Sequence, residues 1–496
     1  MNRPHQLKIL SDSDVERIHQ ESLKILKELG AKFPHKGILN AFKKMGARVD
    51  FDSEIVYFPP EVIGNALDIQ RKNTEAYFAK HDPVDENDYT QKFFMSGGNV
   101  KHRMDPESFE RKPAGLRDIL EAIIVGNALD NVIRVSGYYI PHEYDALLAD
   151  IIQFYLLSLY SKKRYFFTYI YSLASARCLI DMAREVAENE HQFLDGSLIE
   201  FELEPSGHLE FAKEHLEIAA EFAKNKMKIA TTHWSWMGRH TPLTYASLLS
   251  LTNAHILAGT AALIALNPDN MYYRYIFPTH NVNPRNTALP LMGKPNQIIF
   301  AWAARQLADF YGFKYCITNS GFSDEIQDSF QYGFETGVTM ALSIAAGITC
   351  LGVKGMHGID QAVSLEHLVA DHEMIDYLNF TFSRLVRVDD STLAYEEIKK
   401  KLRGADFLDT LKDKTRMKEI YWDSDIFYSG EYADWHENIV RENIKKKIDR
   451  IMRDGFPPSL VLPADKVNKV EEVMRAHLKD KGFIDKLKSD LRSALK

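Results

Sequence analysis

Two indoles, two imidazoles and a guanidinium fall close together as His233, Trp234, Trp236, Arg239 and His240, directly after a short apolar run at 229–232. An aromatic face attracts a cation through its quadrupole, and each desolvated contact of this kind contributes about 2 kcal/mol. Imidazole and guanidinium groups in turn bind carboxylates. The mixture suits an organic cation, with or without an acidic end, better than a phosphate.

Other stretches carry compatible chemistry. Tyr138 follows an apolar run, and Tyr273, Arg274, Tyr275 and Phe277 form a dense aromatic and basic segment. Glu202 and Glu204 are two apart, so an extended chain aims both to one side. Gln331 and Glu335 are four apart, on one face of a helix, a spacing that serves a structural pair equally well.

Trp234, Trp236, Tyr273 and Tyr275, with Tyr138 and Phe277 beside them, are the candidate cage for a quaternary ammonium ion, and Gln331 is a further binding candidate. Glu202 or Glu335 would add negative field, and His233, Arg239, Arg274 or His357 would bind a carboxylate. Glu202, His233, Glu335 and His357 are the candidate catalytic groups. Alternating aromatics also fill cores, so each of these rings has a packing role open to it.

Several alternatives lack their spacing. His233 with His240, or His280 with His357, and Cys316 could ligate zinc, but no HExxH or CxxC is present and no metal is expected. A glycosidase pair at Glu202 and Glu204 would need partners that spacing does not supply. There is no G-x-S-x-G elbow, and no GxGxxG or GxxxxGK[ST] follows an apolar run.

The elements that must position these groups alternate regularly. Strand candidates at 93–97, 132–137, 165–170, 198–203, 229–232, 270–277, 313–318 and 348–353 are each followed by a helical period. Thr241 and Pro242 start the long fifth helix, which runs to 266. Eight strand and helix units are the arithmetic of an α/β fold of the (β/α)8 TIM barrel type, with an open doubly wound sheet as the rival. In a barrel the loops after the strands share one face, where the candidates above would meet. Residues 1–92 read as an N-terminal helical and hairpin cap, 93–387 as the barrel, and 388–496 as a C-terminal helical extension packed under the barrel or against another subunit.

The net charge of -8 argues against nucleic acid as a partner. Three cysteines suit a reducing compartment, and neither a signal peptide nor a membrane-length apolar stretch is evident, so a cytoplasmic location is expected.

Longer stretches carry a family resemblance: LSDSDVERIHQESLKILKELGAKF, TPLTYASLLSLTNAHILAG, AARQLADFYGF, SDEIQDSFQYGFET, GMHGIDQAVSLEHLVADHEMI and the closing PPSL. In order and spacing they resemble the trimethylamine methyltransferase family of corrinoid-dependent methyltransferases, in the branch without pyrrolysine that acts on quaternary amines such as glycine betaine. The resemblance implies a (β/α)8 barrel. It also implies transfer of a methyl group from a small methylated amine to the Co(I) of a corrinoid (cobalamin). That cofactor is carried by a partner corrinoid protein docking at the strand carboxyl face, with none held tightly on this chain. Asp324, Gln331 and Glu335 match a family motif, while Ser329 stands where a second acid is expected and Met356-His357-Gly358 departs from relatives. All residues are standard, which disfavours trimethylamine as substrate. A binding protein that has lost transfer activity is the alternative, with a metal-dependent barrel hydrolase behind it. A homo-oligomer is expected from the extension.

Overall fold

Ser11 opens the first helix, Asp12–Glu28, by a capping box: its hydroxyl takes the Asp14 amide at 3.1 Å, and the Asp14 carboxylate takes the Ser11 amide at 3.1 Å. That helix buries Val15, Ile18, Leu23 and Leu26. With Lys36–Lys44 and Pro60–Phe78 it packs on the long helix Tyr245–Leu266. The computed structural model describes residues 7–80, 92–95, 100–165, 167, 169–327, 329–348, 350–351, 355–358, 361–383, 386–404, 406–480 and 482–496.

All eight expected strands appear, as β1 (Lys92–Phe94), β2 (Val132–Val135), β3 (Arg164–Tyr165), β4 (Phe201–Leu203), β5 (Ile229–Thr231), β6 (Arg274–Ile276), β7 (Tyr315–Thr318) and β8 (Cys350–Leu351). Helices follow them in turn: Leu116–Ala128, Ala149–Tyr160, Leu173–Val186, Lys213–Lys224, Tyr245–Leu266, Asn296–Tyr311, Phe330–Ala345 and Leu365–Ser383. The strands pair in parallel in the order β6-β7-β8-β1-β2-β3, so the last strand lies beside the first, and β4 pairs in parallel with β5.

The ladder nevertheless stops short of a closed barrel. Between β3 and β4 two amides bridge, Tyr165 to the Ser197 carbonyl at 2.9 Å and Glu200 to the Phe167 carbonyl at 3.0 Å. Between β5 and β6 side chains take the groups a ladder would use. Asn270 exchanges hydrogen bonds with both backbone groups of Ile229, at 3.2 and 3.1 Å, and the Tyr272 hydroxyl donates to the Thr231 carbonyl at 2.5 Å.

The amino-terminal segment is joined to the body through a shared sheet, in which 205–207 and 210–211 line up with 31–32, 55–57 and 48–50. Tyr245–Leu266 is long and apolar enough to cross a membrane, against expectation, yet 89% of its most apolar window is buried inside the protein. It is a core helix, apolar all round because neighbours cover it on every side. Gly259 lets it approach β5, since a Cβ there would lie 2.1 Å from Thr231 Oγ1. The carboxyl-terminal helices Ile439–Gly455, Ala464–His477 and Phe483–Ala494 pack on the outer helices, chiefly Leu116–Ala128 and Leu173–Val186.

Candidate functional site

At the carboxyl end of β5 the chain turns at His233 and Trp234 into a second short strand, Ser235–Met237, which pairs in parallel with Thr279–Val282. Gly238 closes the turn at φ +89, where a Cβ would meet Val282 Cγ1 at 2.8 Å. The helix then starts at Tyr245, not at Pro242: Thr244 is the N-cap, its hydroxyl taking the Ser247 amide at 3.2 Å. Thr241 stays outside because its carbonyl accepts the Gly238 amide at 2.9 Å.

Glu200, Glu202 and Glu204 alternate along β4 and its flanks, and their surroundings differ. Glu200 is ion-paired with Arg274. Glu204 accepts the Trp234 amide at 2.8 Å and stands 3.9 Å from His233 Nδ1. Glu202, between them, has no hydrogen-bond partner among the described residues, and it keeps partial exposure. Desolvation pushes Glu202 up to about 7, against the pull of Arg274. Glu204 is likewise pushed up to about 7 by burial, opposed by the Trp234 amide.

His233 is buried, its ring 3.9 Å from that of His255, and burial holds it neutral with its pKa pushed down to about 2. His255 is fixed beneath it, taking the Leu209 amide at 2.8 Å and meeting the Leu251 carbonyl at 2.7 Å. His233 is therefore a neutral partner near Glu204 rather than a cationic anchor. His280 lies between Gln297 at 3.1 Å and Asn319 at 2.6 Å. A neutral imidazole accepts at one nitrogen alone, so one of those amides presents its oxygen. Among the described residues no three His, Cys, Asp or Glu side chains group to hold a metal ion. Cys316 is buried, its thiol pushed up to about 12 by desolvation.

Both indoles are at the carboxyl face, in unequal states. Trp234 is partly buried beside Met292 and Phe322, 5.5 Å from the His280 ring. Trp236 has the Arg239 guanidinium 5.1 Å over its ring and His240 at 5.5 Å, so a cation is already in place there. Arg239 is held by the Thr287 carbonyl at 2.9 Å. Tyr138, just beyond β2, is fully buried with φ +57.

Other candidates lie elsewhere. Tyr275 and Phe277 face the helices: the Tyr275 hydroxyl donates to Asn253 at 2.8 Å, and the two rings stack at 5.6 Å in full burial. Arg274 opens β6 at its amino end and is committed to Glu200. Tyr273 precedes it, stacked on Tyr77 at 5.9 Å and away from the indoles. Alternation along 273–277 distinguishes two faces but does not say which faces inward, and this chain puts its aromatics out.

Glu335 is a tie between loops. Its oxygens take Lys294 at 2.8 Å, Ser323 at 2.7 Å, and the Gln331 amide and Asp324 backbone amide at 3.1 Å each. Lys294 also pairs with Asp324 at 3.1 Å. With Lys294, Ser323, Gln331 and the Asp324 amide on its oxygens, Glu335 is committed to holding these loops together. The His357 side chain lies outside the described ones. Lys294, Glu200 and His255 were not among the sequence candidates; the i, i+2, i+4 acids of EFELE signalled Glu200, whereas His255 inside an apolar helix left no mark.

The chain matches a family model described as Trimethylamine methyltransferase (MTTB) over residues 1–483. It is 22% identical over 463 residues to the glycine betaine methyltransferase of Desulfitobacterium hafniense, covering 91% of this chain and 94% of that protein. It is also 22% identical to the trimethylamine methyltransferase MttB of that species, over 78% of this chain and 77% of the relative. Among solved structures, monomethylamine methyltransferase of Methanosarcina barkeri aligns at a TM-score of 0.42 and 11% identity, over 90% of this chain and 96% of that one.

Proposed function

Because the chain belongs to the trimethylamine methyltransferase family, we propose that it moves a methyl group from a quaternary amine of the glycine betaine type to the Co(I) corrinoid of a partner protein. The observation that carries the reading is Glu202, a partly exposed carboxylate without a hydrogen-bond partner among the described residues, near Glu204, which in turn holds the Trp234 amide. A quaternary ammonium ion donates no hydrogen bond, so an unbonded carboxylate and an aromatic face are what it can use. In this reading the eight strands form a (β/α)8 barrel completed across β5 and β6 by side chains.

Glu202 and Glu204 supply diffuse negative field and Trp234 an indole face, and together they desolvate the cation and aim one methyl outward. A corrinoid on the partner would supply the electron pair that takes the methyl group, with the carbon–nitrogen pair left on a neutral amine. No proton moves, so this chain needs no general acid. Positive charge on nitrogen is lost along the way, and a site that gripped the cation too tightly would slow the reaction. A carboxylate on the substrate would be met by Arg239, the exposed cation nearest the indoles. The partner would dock on the same face, where Phe330 and Phe334 are 87% and 57% exposed with their rings stacked at 5.8 Å.

The test is methylation of free cob(I)alamin, followed by its visible spectrum, with a panel of quaternary and tertiary methylamines. Turnover with a betaine and none with trimethylamine supports the reading. Silence across the panel, repeated with a cognate corrinoid protein, overturns it in favour of a binding protein without transfer activity.

A further inference from the structure

Past the helix Leu365–Ser383 the chain leaves the body as an arm. That helix ends on the amino-terminal side of the strands, where Asn379 donates to Asn131, just ahead of β2, at 3.4 Å. The chain returns along the same helix, with Trp422 Nε1 on Asp376 at 2.9 Å and the Ser424 hydroxyl on Glu373. Between these points the arm is tied to itself. Lys401 pairs with Asp409, and Arg416 with Glu397 at 3.1 Å and Asp413 at 3.5 Å.

The arm holds far more apolar surface than it covers. Among the described residues of 386–421 no apolar side chain is buried, and Val386, Val388, Tyr395, Leu402, Leu408 and Ile420 are 64–92% exposed. Its helices Tyr395–Lys401 and Lys414–Ile420 have seven residues each, a length at which stability depends on a packed face. They frame an open groove of about 260 Å³, lined by Ile398, Phe407, Leu411, Met417, Ile420 and Tyr421. The apolar surface left open comes to roughly 1,000 Å², and each partner in a stable interface gives about 800 Å².

We infer that 386–421 is the contact with a second copy of this chain, the two arms paired antiparallel about a twofold axis with apolar side chains of each in the groove of the other. Charge selects this occupant. Tyr395–Lys401 carries Glu396 and Glu397 in its first turn and Lys399, Lys400 and Lys401 in its last, so two such helices meeting antiparallel set each acidic end against a basic one. The groove and the side chains that protrude beside it belong to the same arm, and a twofold axis satisfies both at once. The arm also springs from the end of the strands opposite Trp234 and Phe330, which leaves the carboxyl face open and makes the contact independent of methyl transfer.

Sedimentation equilibrium of the full chain tests the assignment. Twice the mass of one chain is expected, halved by Leu408→Asp combined with Ile420→Asp, with methylation of free cob(I)alamin unchanged. Charge reversal gives a second test that stands even if the apolar variant fails to fold. Glu396→Lys in one chain, and Lys399→Glu with Lys400→Glu in another, should each weaken self-association at least tenfold and recover it when the two chains are mixed. A native chain that is monomeric at micromolar concentration overturns the proposal, and so does a dimer that survives both sets of variants. Arm variants that keep the native mass but lose transfer to a corrinoid protein overturn it as well, since they would give the arm to that partner.

Discussion

Glu204 accepts the backbone amide of Trp234 at 2.8 Å, so the carboxylate at the end of β4 holds the backbone that carries the indole at the end of β5. An acid and an aromatic residue are thereby held next to each other, the two kinds of group that recognition of an alkylated cation uses.

Substrate binding should depend on pH through these acids. Glu202 and Glu204 hold their protons up to about 7 in the free protein. A bound cation favours their ionised forms, so binding releases protons, and KM should fall as pH rises toward 7 and level off above it. The slope below 7 should approach about tenfold per pH unit for one coupled ionisation. KM for a betaine measured from pH 5.5 to 8.5 checks this, and Glu202→Gln should flatten the profile.

The two indoles should not be equivalent. Trp234→Ala should lower kcat/KM by about 30-fold, the equivalent of about 2 kcal/mol. Trp236→Ala should cost much less, because Arg239 already covers that ring at 5.1 Å. Equal losses in the two variants would return Trp236 to the cage.

Glu335 should behave as a stability residue. Glu335→Ala leaves the Ser323 hydroxyl and the Asp324 amide without an acceptor and takes one of two carboxylates from Lys294, which keeps Asp324, a loss of about 1–3 kcal/mol. Calorimetry should show a fall in Tm of several degrees, with KM for substrate changed little where the fold is retained.

Gly259→Ala should destabilise by about 1–3 kcal/mol, since the added methyl meets Thr231 and overpacking forces backbone shifts. Pairing it with Thr231→Ser, which removes a methyl but keeps the hydroxyl 2.1 Å away, should recover little; Thr231→Gly should recover more. Denaturant midpoints distinguish the two.

Phe330→Asp separates docking from chemistry. Transfer to a cognate corrinoid protein should drop at least tenfold, while transfer to free cob(I)alamin is unchanged, because an exposed aromatic pair contributes to association and not to the cation pocket.

The order of strands and helices was legible because each unit carries its own local signature: period two, a turn, then period 3.6. The junction of β5 and β6 was not, because it depends on Asn270 and Tyr272 reaching across to Ile229 and Thr231, a contact that no periodicity encodes. The alternation of Glu200, Glu202 and Glu204 was readable from their spacing. Tyr275 was misassigned for the same reason, since the pattern is symmetric under exchange of faces and the outcome turned on Asn253, on a helix. The helix start moved from Pro242 to Tyr245 because Thr244 and Ser247 formed the better cap once Thr241 was taken by Gly238.

The pairing of β4 with β5, apart from the six-stranded ladder, has a mechanical consequence. Glu202, Glu204, His233 and Trp234 all ride on this one two-stranded piece and its exits. Along its β6 edge three side-chain hydrogen bonds stand in for a ladder. The mutual placement of the groups read here as gripping the substrate thus rests on the pairing of β4 with β5 and not on the six-stranded ladder.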